Sequence, residues 1–566
     1  MKTISITLAG AGTLLLLLGI QDVDLTPLTS DRLDAIESAA EDRVWTPQTD
    51  QELIDEYCVR CHSDRRLRGN LSLETFDASA PHLQGEVAEK MILKLRAGMM
   101  PPPGVSRPAG DSLMALAASL EERVDDVAAR NPNPGGRSFQ RLNQIEYARS
   151  VHDLLGLEID PSAFLPLDTK SANFDNIADA QMISATLLDS YLNAAASIAR
   201  LAVGDPEAAP SSATYTNPGY ASQWERVEGA PYGTRGGISV VHNFVADGEY
   251  EFRLAFEHTT TGGYFGGVTR GEQIEVSVDG ERVALLEMDR WMSVADPNGV
   301  NMRTEPIFVR AGPHRVTAAF LKQTEGPVED MLSPHEWSLS DRQIGVSGYG
   351  ITSLAHLKDL VVAGPANVTG VSETPSRDRI FSCRPTRSDE AAGCAAQIIE
   401  ELGPQAFRRP LTSEDREALM GFYQLGVQEG GFEVGVRTAI EAMLASPDFV
   451  FRMEEAPSGI EVGDSYRISD VDLATRLSYF VWGLPPDAEL RTVAAEGRLS
   501  NQGELERQVS RMLADPRSEA LATRFAAQWL RLDDLDKVHP DRLLYPDFHQ
   551  RLADDLRRGK IGRAHV

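Results

Sequence analysis

Beyond residue 45 the apolar positions fall at helical spacing. Leu53, Ile54 and Tyr57 make one stripe; Val87, Met91, Ile92 and Leu95 make a second that stops at Gly98 and Pro101; Leu113, Leu116 and Leu120 make a third. They predict a small all-helical unit over 46–130. Asn131 to Gly136, rich in Asn, Pro and Gly, ends it, and helices are predicted again at 139–155 and 185–201. From about residue 206 the period changes to two. Alternating runs flank three turn signals: 240–244 and 250–256 around Asp247-Gly248, 274–278 and 283–286 around Asp279-Gly280, 307–309 and 315–320 around Ala311-Gly312-Pro313. These predict three hairpins of an antiparallel β-sandwich that ends near Val362. Helical spacing returns at 390–402, 413–428, 433–445, 471–481, 501–513 and 518–530, punctuated by Pro485, Pro486 and Pro516. At 566 residues the chain is too long for one core, so separate domains are expected at 46–130, 137–205, 206–365, 376–455 and 465–560.

The first twenty residues read differently. Lys2 precedes a mainly apolar run from Ile4 to Leu18, and acidic Asp22 and Asp24 follow, the layout of a secretory signal peptide over 1–20. No small-x-small cleavage site follows Leu18, so an uncleaved N-terminal anchor is the alternative; no later stretch approaches membrane-spanning length. Export implies a periplasmic or extracellular, cell-envelope setting. The 84 acidic and 55 basic residues give a formal charge of −29, which repels phosphate backbones and argues against nucleic acid as a partner.

Cys58-Val59-Arg60-Cys61-His62 carries the clearest chemistry. Two thiols at this spacing can each form a thioether to a haem vinyl group, and the next residue offers an imidazole to the iron, so one covalent haem c is expected on Cys58, Cys61 and His62. Two rivals stand beside it. Half of a zinc site would need further ligands, and the other cysteines, Cys383 and Cys394, lie far downstream; a redox dithiol does not need the trailing histidine. Met100, ahead of Pro101, Pro102 and Pro103, is the expected second axial ligand, because a stiff loop lowers the entropic cost of holding a thioether at the iron. Met99 and His82 are the alternatives. A His/Met pair raises the reduction potential and leaves no open position, which favours electron transfer.

With Arg96-Ala97-Gly98-Met99-Met100-Pro101-Pro102-Pro103-Gly104, the Cys58–His62 motif resembles the planctomycete-type cytochrome c domain at the front of large exported bacterial proteins. The resemblance continues into the domains of unknown function that accompany it. Arg141 to Tyr147, Asp153 to Leu157 and Phe174-Asp175-Asn176 are similar to the first; Ala406 to Pro410 and Met443 to Phe449 to the second; Arg476 to Trp482, Met512 to Arg517 and Gln528-Trp529-Leu530 to the third. The resemblance implies a multidomain architecture: an all-α cytochrome c domain, all-α helical domains, and one antiparallel β-sandwich, or jelly roll, between them. It supplies no reaction. One departure is Asn173, where the family pattern has Gly, and an altered tight turn is expected there.

The β region resembles jelly-roll modules that bind carbohydrate by stacking sugars on exposed aromatics, which would be Tyr264, Phe265, Trp291 and Trp337; the alternative is a structural sandwich whose aromatics fill its own core. Cys383 and Cys394 are expected to form a disulfide in an oxidising compartment. The last six residues, 561–566, match the translation of a common sequencing adapter, so they are expected to be read-through from a chain that naturally continues. The resulting expectation is an exported mono-haem electron-transfer protein tied to polysaccharide binding or turnover, served by a redox partner protein or internal electron donor. A haem-linked oxidoreductase acting on carbohydrate and a non-catalytic envelope scaffold or adhesin are the alternatives.

Overall fold

The computed structural model describes residues 47–556 except 131, 133–134, 136–139, 178–183, 218–222, 259–261, 266–269, 324–329, 333–349, 353, 462–463, 539, 541–543, 546–547, 549–551 and 554, with backbone alone at 47–49, 330–332, 350–352, 533 and 536. The expected signal segment at 1–20, Trp337 and the hexapeptide 561–566 therefore lie outside the described residues. The chain divides into two units, one ending at Gly135 and one beginning after it.

Among the described residues the first unit holds three α-helices: α1 (Pro47–Leu53), α2 (Gly85–Arg96) and α3 (Ser112–Arg130). α1 continues into a wider turn over Ile54–Cys58. Met91, Ile92 and Leu95 of α2 and Leu116 and Leu120 of α3 close on Ile54, Leu73 and Phe76. These are the stripes read from the periodicity, and their burial holds a unit too short to build a larger core. Asp50, fully buried, accepts from Ser119 Oγ at 2.6 Å and from Arg123 at 2.8 Å, tying α1 to α3.

The second unit opens with β1 (Gln140–Arg141), α4 (Gln144–Leu155) and α5 (Ala185–Val203). Two antiparallel sheets follow. β2 (Ser211–Thr216), β3 (Thr234–Phe244), β4 (Asp247–Phe256), β5 (Gln273–Val278), β6 (Glu281–Glu287), β7 (Asn301–Arg303), β8 (Ile307–Val309), β9 (Gly312–Leu321) and β12 (Leu357–Gly370) build them, with β10 (Asp330–Leu332) and β11 (Gly350–Thr352) as a separate pair. One sheet has the order β2-β12-β4-β7 with β8 also on β4, the other β3-β9-β5-β6. Phe252, Leu254 and Leu360 from the first meet Ile274, Val316 and Phe320 from the second in one apolar cluster.

Only one of the three expected hairpins forms. β5 and β6 pair across Asp279-Gly280, both at positive φ as a tight two-residue turn requires. At Asp247-Gly248 the chain instead crosses between sheets: β3 pairs with β9, and β4 with β12. The Asp247 carboxylate is occupied by Ala311 N at 2.6 Å and Ser372 Oγ at 2.9 Å, and Gly248 lies inside β4 against the Ala366 carbonyl rather than in a left-handed turn. The Ala311-Gly312-Pro313 signal is likewise a crossing, since β8 pairs with β4 and β9 with β3 and β5.

Helices then resume as α6 (Pro375–Ile380), α7 (Ala391–Ala406), α8 (Ser413–Gly430), α9 (Phe432–Ala445) and α10 (Pro447–Val450), followed by β13 (Phe451–Arg452), α11 (Asp470–Val481), α12 (Ala488–Ala495) and α13 (Gln502–Ala514). The segments read as two separate helical domains, 137–205 and 376–455, share one core: Tyr147, Leu154, Tyr191 and Ile198 pack with Ile398, Leu402, Val436, Ile440 and Phe449. β1 pairs with β13, and Leu142 N donates to the Val450 carbonyl at 2.8 Å. The sheets are thus inserted into a single helical body. A smaller cluster around the fully buried Trp482 unites α11, α12 and α13, with Nε1 bonded to the Met512 carbonyl at 2.9 Å and the Arg517 guanidinium 3.6 Å from the ring centroid.

Candidate functional site

In the first unit, Cys58 closes the wide turn that ends α1, and its carbonyl accepts from both Cys61 N at 3.0 Å and His62 N at 2.9 Å. One peptide oxygen thereby gathers the two thiols and the imidazole into a single turn. The chain then runs through a loop with Leu67, Gly69 and Asn70 at positive φ and returns, so that Leu73 N donates to the His62 carbonyl at 2.7 Å. Cys58 and Cys61 are unpaired and half-buried. Burial, with lesser contributions from Asp55 and Cys61, pushes the Cys58 thiol up to about 11, opposite to the lowered value that a redox dithiol uses to form its thiolate. His62 Nδ1 is buried without a hydrogen-bond partner in the described structure. Two thiols, an imidazole and a thioether form the donor set that a covalent haem takes, so these residues fit the group.

Met100 is half-buried on the loop that follows α2, ahead of buried Pro101. Arg107 donates to the Gly98 carbonyl at 2.9 Å and to the Pro101 carbonyl, clamping the loop from both sides of the methionine. Met99 is 52 % exposed with its sulfur 3.6 Å from Lys94 Nζ, and His82 is exposed on a short turn.

In the second unit the motifs behind the resemblance come together. Asn143 caps α4: its side chain accepts from Glu146 N at 2.8 Å, while Glu146 accepts from Asn143 N at 3.2 Å. Asn143 Nδ2 donates to Asp175 at 2.9 Å, and Asp175 N donates to Gln528 at 3.4 Å. Glu146 is 1 % exposed and has Arg452 at 3.6 Å and Arg524 at 3.7 Å. Tyr479 shares a 2.9 Å hydrogen bond with Ser150, and Arg452 lies over its ring at 4.8 Å. Arg408, at φ 59°, donates to the carbonyls of Phe449 at 3.1 Å and Phe451 at 2.7 Å and also to that of Asp448. Each oxygen of Glu146 already faces a cation, so the cluster is an electrostatic clamp rather than an acid–base pair. Sequence reading missed it as a unit, although a polar Glu146 between Ile145 and Tyr147 on an otherwise amphipathic helix was a usable signal.

The turn at Asn173 is kept. Ser171 and Phe174 exchange two 2.9 Å backbone hydrogen bonds around Ala172 at φ 49° and Asn173 at φ 73°. Asparagine enters the left-handed region more readily than other non-glycine residues, so the turn needs no glycine there. It aims Asp175 at Asn143.

The aromatic residues expected to stack on sugars divide. Tyr264 and Phe265 are 5 % and 8 % exposed and cannot offer a ring face to a sugar; they are packing residues, and burial pushes the Tyr264 hydroxyl up to about 12. Trp291 is 74 % exposed, with the Arg290 guanidinium 4.4 Å from its centroid. Cys383 and Cys394 are joined in a disulfide with Cα atoms 5.8 Å apart, linking the segment after α6 to the first turn of α7. A half-buried pair that sequence reading also missed, Tyr215 OH and His242 Nδ1 at 2.8 Å, lies between the two sheets' edge strands.

Three family models match the chain, each describing a protein of unknown function. PSD3 (DUF1587) covers residues 140–204, PSD5 (DUF1595) covers 394–454 and PSD4 (DUF1592) covers 468–561. Comparison with curated proteins gives no match. The clamp joins all three spans: Asn143, Glu146 and Asp175 come from the first, Arg408 and Arg452 from the second, Tyr479, Arg524 and Gln528 from the third. The chain is a multidomain protein that carries a PSD3, a PSD5 and a PSD4 segment, each from a family of unknown function.

Proposed function

We propose that this protein is an exported mono-haem c-type cytochrome that transfers electrons in a process linked to polysaccharide binding or turnover at the cell envelope. The observation that carries the reading is the single turn in which the Cys58 carbonyl gathers Cys61 and His62, with His62 Nδ1 buried and without a hydrogen-bond partner among the described residues. Cys58 and Cys61 would hold the porphyrin through thioethers, and His62 and Met100 would ligate the iron. Bound there, the group supplies one-electron transfer. Arg107 fixes the loop that presents Met100, and the two backbone donors to the Cys58 carbonyl fix the main chain that carries the imidazole.

Arg60, Arg65, Arg66 and Arg68 are exposed around the attachment turn. Exposed Asp55, Glu56, Asp64 and Glu74 lie among them, so the surface around the turn carries both signs of charge. The export half of the reading rests on Lys2 and the apolar run to Leu18.

The test is expression of the full chain in a host with cytochrome maturation machinery. A Soret band and a matching mass increase are expected, both lost in the Cys58→Ala/Cys61→Ala double variant. Met100→Ala is expected to turn a low-spin spectrum high-spin and to admit carbon monoxide. A wild-type protein without the added mass overturns the reading.

A further inference from the structure

The second unit has a groove of about 1040 Å³ where the helical body meets the two sheets. β2 and β3 are the edge strands of their respective sheets, and both line it, over 211–215 and 239–243. Phe164, which follows α4, and Arg200 of α5 line it from the helical side. Across it the Tyr215 hydroxyl meets His242 Nδ1 at 2.8 Å.

We infer that this groove binds an uncharged polyhydroxylated chain, an oligosaccharide. Ser197, Ser211, Ser212, Thr214, Tyr215 and Ser239 bring hydroxyls to it. A hydroxyl both donates and accepts, as every sugar hydroxyl does, so this lining matches a ligand with mixed capacity at each position. Charge is balanced: Glu158 and Asp160 stand against Arg200 and Arg315, which gives no net field to select an ion. Capacity is also left over. Asn243 donates to the Glu158 carbonyl at 2.7 Å, but its Oδ1 has no hydrogen-bond partner among the described residues. Burial lowers His242 to about 4, so near neutral pH its ring is uncharged and can serve as donor or acceptor.

An extended peptide is the other chain that edge strands attract. Here the Tyr215–His242 bond links the two edges side chain to side chain, which obstructs a strand from adding flush to either one. A sugar chain needs no such register. The inference deepens the polysaccharide half of the function proposed above and stands apart from its haem half. It moves the binding surface from the outer aromatics to the junction of helices and sheets.

The full-length holoprotein is to be titrated by affinity electrophoresis and calorimetry with laminarin, galactomannan and cello-oligosaccharides, beside polygalacturonate and an extended Ser/Thr hexapeptide. At least one neutral glycan is expected to bind, and Ala209→Trp, at an exposed lining position, and Tyr215→Phe are each expected to weaken it about tenfold, the scale of one or two lost hydrogen bonds. Trp291→Ala is expected to leave affinity unchanged. Loss of binding on Trp291→Ala but not on Ala209→Trp overturns the inference, as does binding of polygalacturonate or the peptide alone, or of none of the probes. The Soret band reports the haem reading separately, so failure of one is not failure of the other.

Discussion

Ala172 and Asn173 show how much a single backbone conformation can decide. Both lie in the left-handed region, which costs an L-residue roughly 1–2 kcal/mol and glycine nothing. Ala172→Gly is therefore expected to raise unfolding free energy by about 1 kcal/mol, less the entropy that glycine adds to the unfolded chain; a urea midpoint that falls instead would remove the argument. The motif's missing glycine was visible in the sequence, but its consequence was not, because the expected residue type says nothing of whether asparagine can take the same φ. Burial was similarly hidden. Tyr264 and Phe265 carry the right chemistry for sugar stacking, yet only the three-dimensional packing turns them inward. His242 adds a pH dependence. Its folded value of about 4 lies below the ordinary 6.5, so between those values the unfolded state binds more protons. Its contribution, at most about 3 kcal/mol, is complete above pH 6.5 and is lost as pH falls toward 4. Asp415, held near 2 by Arg409, is complete above about 4 and fades only below that. Urea titrations at pH 7 and pH 5 are expected to differ in wild type and to differ less in His242→Gln.

At the level of elements, helix positions followed from periodicity because each helix has one wet face and one dry face; α5, α8, α9 and α13 begin within a residue of where the apolar stripe begins. Strand pairing did not follow. A hairpin and a crossing between sheets present the same alternation and the same turn residues, and the difference lies in long-range partners such as Ser372 on Asp247. The clamp ties elements together by charge. Glu146→Ala is expected to cost about 3 kcal/mol, since it strands the buried Arg452 and the partly buried Arg524 guanidinium groups, whereas Glu146→Gln keeps the cap and costs less. Equal losses by thermal unfolding would show that charge is not the cause. The Cys383–Cys394 disulfide closes a short loop, and Cys383→Ser with Cys394→Ser is expected to lower stability by about 2–3 kcal/mol. No change on reduction would mean that α7 docks without it.

Across the whole molecule, the Cys58–His62 motif was legible because its residues are contiguous: three side chains in five residues need no fold to bring them together. The clamp and the groove were not, since each draws on segments hundreds of residues apart whose only common feature is where the chain folds them. One consequence follows from the insertion of the sheets into the helical body. Arg377 of α6 donates to the Val203 carbonyl at the end of α5, so the strand-rich segment leaves and re-enters at neighbouring points. A ribosome releases α4 and α5 long before the helices that cover them, and the nascent chain must hold Tyr191, Ile198 and their neighbours exposed until α9 arrives. The neighbouring ends also make the inserted module removable: excising it and splicing the two ends with a short linker should leave a helical body that still closes, and lets one insert be exchanged for another without rebuilding its host.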